Sequence, residues 1–258
     1  MLFLLPPSET KAIGGGSLTI QQAALTFGGL NTVREKVLAE LVRVCKKPAV
    51  ATKVLKLSPK QFSAIQVNLD VAEAPTMRAL ERYTGTLYDA IAPGSLSAEA
   101  WLRSKQTVLI QSPLFGLIPA TDLIPNYRLS GTTVLPKVSL KKVWPAAHEP
   151  IFGRLAQGLI VDLRSKTYVD LAPIPSTIDS VWVEVVSRES NGQLRALNHF
   201  NKLAKGLLMR AILEAPSAPE TIDDLSSIAS KIGMELYLDE AKRQLVLVTD
   251  QIVKSKRV

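Results

Sequence analysis

The spacing of apolar residues along the chain predicts a protein in which strands and helices alternate. Short apolar runs, bounded by proline, glycine or polar residues, are typical of buried strands. Such runs predict strands at residues 1–5, 107–111, 159–163 and 181–187. Residues 234–238 and 245–249 flank a polar hexapeptide and predict a closing hairpin.

Apolar residues three and four positions apart predict amphipathic helices. In residues 32–44, for example, Val33, Val37, Leu41 and Val44 share one helical face. Capping signals support two further helices, one beginning near Ser58 and one near Thr221. Helices are predicted at residues 19–27, 32–44, 58–69, 77–82, 84–91, 141–156, 199–213 and 221–231.

Strands and helices are mixed along the whole chain, and the sequence contains no internal repeat and no low-complexity linker. This order predicts a mixed α/β (α+β) fold in which helices surround a mixed β-sheet. We expect residues 1–258 to form a single domain.

The charge balance is basic and favours an anionic partner. The chain has 258 residues, with 31 Lys and Arg against 23 Asp and Glu, which gives a formal net charge of +8. Nucleic acid, anionic lipid and phosphorylated ligands all suit such a charge. Many soluble proteins are equally basic and bind no polyanion, so charge alone leaves both interpretations open.

Other features of the composition argue against metal, cofactor and membrane. The single cysteine, Cys45, excludes an intrachain disulfide, and His148 and His199 are far apart in sequence. Residues 12–33 are uncharged, but glycine and glutamine interrupt them too often for a membrane span, and the apolar run 2–5 is too short for a signal peptide. We expect a cytoplasmic protein with no metal, no cofactor and no membrane contact.

Two clusters of basic residues stand out. Residues 34–60 contain eight Lys and Arg but only two Glu. Lys202, Lys205 and Arg210 lie within about 80° of arc on a predicted helix, so they share one side of it. Each cluster is either a solvated surface or a contact for an anionic backbone.

Seven segments, taken in order, form a pattern that covers nearly the whole chain. They are residues 4–11 (LLPPSETK), 83–88 (YTGTLY), 114–129 (with LFG and YRL), Trp144, 162–168 (beginning DLRS), 202–210 (beginning KLAKG) and the closing strands 233–238 and 245–248. This pattern resembles one known family, the peroxide stress protein YaaA family. The sequence departs from the family pattern at several positions, among them Glu9, Ser130 and Asp162.

The resemblance implies a cytosolic protein that limits peroxide damage by keeping free iron low. It also implies a single mixed α/β fold with a positively charged cleft, and binding of double-stranded DNA by a helix-hairpin-helix-like element. On this basis we expect non-specific binding of double-stranded DNA through a basic cleft. The phosphate contacts that we expect are Lys202, Lys205 and Arg210, with Arg128 and Lys11 near the same cleft.

Two alternatives remain open at the level of sequence. Arg128 is either a phosphate contact or one half of an ion pair, for which Asp122 is a candidate. The protein is either a binding protein, which we favour, or an enzyme that acts on a nucleotide or nucleic acid. An enzyme would use the polar loop of residues 8–11 together with Asp122, Arg128 and Asp162. A basic interaction module with a protein partner is a third, less specific hypothesis.

Overall fold

The computed structural model describes residues 1–155, 158–188, 193–196 and 201–249. The strands are β1 (Leu2–Leu5), β2 (Met77–Arg78), β3 (Val108–Ser112), β4 (Gly116–Pro119), β5 (Leu123–Ile124), β6 (Ile160–Asp162), β7 (Ser180–Arg188), β8 (Leu194–Ala196), β9 (Met234–Asp239) and β10 (Gln244–Thr249).

The helices surround the strands in sequence and in space. They are α1 (Ile20–Ala23), α2 (Asn31–Cys45), α3 (Pro48–Val54), α4 (Ser63–Leu69), α5 (Ala79–Arg82), α6 (Thr86–Ile91), α7 (Ala98–Thr107), α8 (Leu140–Leu155), α9 (Lys166–Leu171), α10 (Asn201–Glu214) and α11 (Ile222–Lys231). None of the described helices is long and apolar enough to cross a membrane.

Within the described residues, eight strands form one mixed sheet, as the sequence predicts. Its order is β4-β3-β1-β6-β7-β10-β9, and β8 pairs separately with β7. The inner strands β3, β1, β6, β7 and β10 are parallel, whereas β4, β8 and β9 are antiparallel to their neighbours. Helices cover both faces of a parallel sheet, which explains why β3 is buried at every position.

The predicted strands and the closing hairpin are confirmed. In the hairpin, Leu245 lies opposite Leu238 in the antiparallel pair of β9 and β10. The helix predicted at residues 77–82 is wrong at its first two residues, because Met77 and Arg78 pair with β5 as strand β2. A two-residue strand is too short to produce a periodic pattern in the sequence. It is recognised only from its pairing with β5, which is distant in sequence.

Other boundaries shift for local reasons. The helix predicted at residues 19–27 is only the short α1, and Phe27 adopts a left-handed backbone conformation with φ of 59° before a 3₁₀ turn. Helix α8 continues through both Pro145 and Pro150. Of the predicted helices, residue 156 and residues 199–200 lie outside the described part of the chain, as do the basic residues of the C-terminal tail.

The order of the strands reverses direction beside β1. After β1 the chain passes to β3 on one side, and it later returns to place β6 on the other side. The loops that leave the carboxyl ends of β1 and β6 therefore diverge. In open α/β sheets, such a point is where a crevice forms and where ligands bind.

Helix α10 packs closely against α6 because it carries a glycine at the contact. A Cβ atom at Gly206 would overlap the carbonyl oxygen of Leu87 and would lie 2.7 Å from the Cβ of Ala90. This close approach places the neighbouring Lys205 at the end of the sheet where β1 and β6 diverge.

We expect Gly206→Ala to destabilise the protein by about 1–3 kcal/mol, because the added methyl group has no space in this contact. Gly153→Ala is the matched control, since Gly153 is a helical glycine in α8 with open space around its Cβ position. It should stabilise the protein by about 0.5–1 kcal/mol. Urea unfolding of both variants measures the two changes in the free energy of unfolding. If both substitutions changed it in the same direction, the close packing of α10 against α6 would be contradicted.

Candidate functional site

A cleft of about 730 Å³ opens at the carboxyl ends of β1 and β6. The loop after β1 supplies residues 6–10, and the loop after β6 supplies Leu163 and Ser165. The remaining lining comes from residues 84–88 at the start of α6, from Ser130 and Thr132, from the start of α9, from Trp182 of β7 and from the start of α10. The volume lies within the roughly 300–1,000 Å³ that is usual for small-molecule sites.

The loop after β1, which we call the first loop, is hydrogen-bonded to the segment that precedes α6. The amide of Thr84 donates to the carbonyl of Thr10 at 3.1 Å, and the Thr10 hydroxyl donates to the carbonyl of Thr84 at 3.2 Å. Gly85 has a φ of +94°, and a Cβ atom there would lie 3.2 Å from the Thr10 hydroxyl oxygen. Glycine therefore permits both the left-handed backbone and the close approach of the two loops.

A buried ion pair shapes the loop after β6. The Nε and Nη2 atoms of Arg164 donate to the two carboxylate oxygens of Asp162 at 2.8 and 2.7 Å. The amide of Arg164 donates to the same carboxylate at 2.9 Å, and its Nη1 reaches the carbonyl of Ala172 at 2.8 Å. Both side chains are buried, so the pair connects the end of β6 to the end of α9.

The carbonyl groups of this loop orient two side chains of the cleft. The indole nitrogen of Trp182 donates to the carbonyl of Arg164 at 2.8 Å. The Nζ of Lys205 donates to the carbonyl of Leu163 at 3.1 Å and lies 5.2 Å from the centre of the Trp182 ring. Trp182 and Lys205 are thus adjacent on the floor of the cleft.

Lys205 is 3% exposed, which is unusual for a lysine. Burial lowers the pKa of its ammonium group to about 8, although the carboxylates of Asp162 and Glu184 act in the opposite direction. Within the described residues, no carboxylate lies within 4.0 Å of Lys205, because Asp162 is occupied by Arg164.

The remaining charges make the cleft basic. Lys166 and Lys202 line it and are exposed. Glu9 is the one acidic residue in the described lining, and its carboxylate accepts from Nη2 of Arg128 at 2.6 Å, so its charge is already neutralised. Lys166 lies 3.9 Å from the exposed carboxylate of Asp170 on its own helix, α9. Among the described residues, no carboxylate lies within 4.0 Å of Lys202 or Lys205, so the cleft is positively charged overall.

Of the five predicted phosphate contacts, Lys202 and Lys205 line the cleft. Arg128 is next to it and bonded to Glu9, and its ion pair is therefore not with Asp122. The carboxylate of Asp122 instead accepts from the amide and hydroxyl of Thr26, at 2.9 and 2.6 Å.

Lys11 lies behind the first loop rather than in the cleft lining. Its Nζ donates to the carbonyl of Ser8 at 3.0 Å and lies 3.9 Å from the centre of the Tyr127 ring. Burial, with a smaller contribution from the guanidinium of Arg128, lowers the pKa of Lys11 to about 7, while Glu9 opposes this shift.

Arg210 is separated from Lys202 and Lys205 by its contacts with protein carbonyls. Its Nη1 donates to Ile91 and Ala92 at 2.8 and 3.0 Å, and its Nη2 donates to Ser95 at 3.1 Å. These carbonyls follow the end of α6, where a cation satisfies groups that the helix leaves unpaired. A role for Arg210 in binding phosphate stays a prediction, and this geometry gives it a structural role as well.

The carboxylates expected to serve as acid and base in an enzyme do not lie together in the cleft. Asp122 and Asp162 do not line it, and each carboxylate is bonded elsewhere. Sequence reasoning also passed over two cleft residues, Trp182 and Asn201. Neither stood out in the sequence, because Trp182 belongs to an ordinary apolar strand and Asn201 begins an ordinary helix.

The basic segment 34–60 divides into one buried arginine and an exposed surface. Arg34 is 6% exposed and donates to the carbonyls of Phe115 and Leu117, at 2.8 and 3.2 Å. Arg43 pairs with Glu40. The remaining cations of α2, α3 and the segments that follow them are exposed and form what we call the α2–α3 surface: Lys36, Lys46, Lys47, Lys53, Lys56 and Lys60.

Four of the segments on which the family resemblance rests lie around the cleft. Residues 4–11, 83–88, 162–168 and 202–210 all contribute lining residues. The sequence model of a family described as peroxide stress protein YaaA matches residues 1–234. The chain belongs to this family. Among the described residues, no group of three or more His, Cys, Asp and Glu side chains is arranged to hold a metal ion.

Three relatives align over nearly the whole chain. A UPF0246 protein of Corynebacterium efficiens is 36% identical over 249 residues, which is 95% of this chain and 98% of the relative. One from Corynebacterium glutamicum is 37% identical over 239 residues, covering 91% and 94%. One from Streptomyces coelicolor is 34% identical over 248 residues, covering 92% of each chain.

We expect Arg164→Met to destabilise the protein by about 3–5 kcal/mol, because it leaves the Asp162 carboxylate buried without its partner. Arg188→Met is the control. Its ion pair with Glu235 is exposed, with side-chain exposures of 46% and 57%, and its loss should cost under about 1 kcal/mol. Urea unfolding compares the two, and similar losses would show that the Asp162–Arg164 pair does not stabilise the fold.

The stability of the protein should depend on pH through Lys11. Its pKa is about 7 in the folded state and 10.5 in its ordinary state, so the unfolded chain binds more protons between these values. The free energy of unfolding should therefore rise with pH from 7 to 9, relative to Lys11→Met, by up to about 1.4 kcal/mol per pH unit. Urea unfolding of both proteins at several pH values measures this difference. A constant difference would mean that Lys11 is not titrating in this range.

Proposed function

We propose that this chain is a cytoplasmic DNA-binding protein that protects the cell against peroxide and iron-mediated damage. It binds double-stranded DNA through phosphates and without regard to sequence. The observation that carries the proposal is the positive charge of the cleft, where the described lining has three lysines, Lys166, Lys202 and Lys205, and one acidic residue, Glu9, which is paired with Arg128. An anionic backbone supplies the missing negative charge.

The three lysines differ in exposure, and we therefore assign them different roles. Lys166 and Lys202 are exposed, so their ammonium groups are accessible to the backbone of a duplex that lies across the cleft. Lys205 is buried on the floor, where it strengthens the positive potential inside the cleft. In this arrangement a duplex contacts the rim, and direct contact with Lys205 requires a phosphate that enters the cleft.

The α2–α3 surface is a second place for phosphate contacts. Helices α2 and α3 are joined by only two residues, Lys46 and Lys47, and both are exposed. This arrangement of two helices around a short basic turn supports the expected helix-hairpin-helix-like element. Within the described part of the chain, none of the six lysines of the surface lies within 4.0 Å of a carboxylate.

The proposal predicts binding to a labelled DNA duplex that weakens steeply with salt. For six or more phosphate contacts, affinity should fall about 10³-fold between 50 and 200 mM salt. Fluorescence anisotropy at several salt concentrations measures this slope. An absence of binding at 50 mM salt would remove the proposal.

Paired substitutions locate the contacts. Lys166→Ala with Lys202→Ala should lower the slope of log affinity against log salt by about 2, because two phosphate contacts are lost. Lys46→Ala with Lys47→Ala tests the α2–α3 surface in the same way. The matched control is Lys141→Ala with Lys142→Ala, two exposed lysines of α8 that do not line the cleft. If neither test pair differs from the control, neither surface is the site of binding.

A further inference from the structure

The floor of the cleft contains a buried lysine, Lys205, that forms no direct ion pair with the described residues, although the carboxylates of Asp162 and Glu184 act on its charge from beyond ion-pair distance. Among the residues that the structure describes, the ammonium of Lys205 has one hydrogen-bond acceptor, the carbonyl of Leu163 at 3.1 Å. Both carboxylate oxygens of the neighbouring Asp162 accept from Arg164 instead. A buried charge is costly unless it is paired, so an anion bound at this point would relieve a cost that the folded protein already bears.

The rest of the cleft suits a phosphate group. Lys202 is one helical turn from Lys205 on α10, so the two lysines lie on the same face of the helix. Eight of the lining residues are serine or threonine, whose hydroxyl groups donate hydrogen bonds to phosphate oxygens. Charge-assisted hydrogen bonds of this kind are short and strong.

Aromatic and amide groups beside Lys205 indicate that the ligand is larger than phosphate alone. The Trp182 ring lies next to Lys205, and its orientation is held by the bond from its indole nitrogen to the carbonyl of Arg164. The side-chain oxygen of Asn201 is buried in the cleft lining and has no hydrogen-bond partner. A flat aromatic surface and an unpaired amide suit a heterocyclic base, which stacks and forms hydrogen bonds at its edge.

We propose that the cleft binds a single nucleotide unit, with its phosphate at Lys205 and Lys202 and its base at Trp182 and Asn201. The cleft volume of about 730 Å³ suits one ligand of this size, not a duplex. The inference deepens the proposed function because it uses the same cleft, but it does not require a duplex to bind. The unit is either a free nucleotide or the end of a nucleic-acid strand.

Calorimetric titration with adenosine 5′-monophosphate tests the inference, with adenosine and inorganic phosphate as the two partial ligands. The nucleotide should bind at least tenfold more tightly than either part. Lys205→Met should weaken binding at least tenfold, and Lys202→Met, an exposed position that leaves the core intact, should weaken it severalfold. Lys142→Ala is the control and should have no effect. Phosphate that binds as tightly as the nucleotide, or lysine variants that bind like the wild type, would overturn the inference.

The pH profile gives an independent readout. Burial lowers the pKa of Lys205 to about 8, and the charged groups that influence it are Asp162 on β6 and Glu184 on β7. Affinity for the nucleotide should therefore fall between pH 7.5 and 9.5, where the phosphate is already a dianion. In Lys205→Arg, whose charge persists in this range, the fall should be absent. A fall of equal size in both proteins would contradict a role for Lys205.

Two further titrations distinguish a free nucleotide from a strand end as the ligand, and distinguish this inference from the proposed function. A single strand with a terminal 5′-phosphate that displaces adenosine monophosphate identifies a strand end as ligand, whereas failure to displace it identifies the free nucleotide. Duplex binding is measured in parallel at low salt. Nucleotide binding without duplex binding would overturn the proposed function alone, and duplex binding without nucleotide binding would overturn this inference alone.

Discussion

The buried ion pair between Asp162 and Arg164 is the interaction on which the candidate site depends. It joins the end of β6 to the end of α9 and holds the intervening loop in one conformation. Two carbonyl groups of that loop then accept from Lys205 and Trp182. Because the pair occupies both oxygens of Asp162, this carboxylate forms no direct ion pair with the nearby Lys205 and acts on it only at longer range. The same interaction thus stabilises the loop and maintains the positive charge of the cleft.

This arrangement explains why the cleft lies where it does. The strand order reverses beside β1, so the loops after β1 and β6 diverge and leave space between them. Gly206 then allows α10 to approach α6 closely enough to place its lysines over that space. Two positions that depart from the family pattern, Glu9 and Asp162, are both ion-paired to arginines. Neither adds a free negative charge to the cleft.

Only some of the basic side chains of the protein are accessible to a ligand. Arg34, Arg82 and Arg210 direct their donors at backbone carbonyl groups. Such arginines satisfy loop and helix-end carbonyls that would otherwise lack partners inside the protein. The net charge of +8 therefore describes the whole chain, whereas the charge that an anion meets depends on which cations remain exposed. The lysines of the cleft rim and of the α2–α3 surface remain exposed.

The sequence by itself determined the main strands, most helices, the mixed sheet and the family, because each follows from local periodicity or from ordered motifs. It also placed Lys202 and Lys205 on one side of a helix. Only the tertiary structure decided that Arg210 bonds to carbonyls more than a hundred residues away, and that Arg128 pairs with Glu9 rather than Asp122. It also brought Trp182 beside Lys205. The partner of a charged side chain depends on which segments pack together, and spacing along one segment carries no information about that.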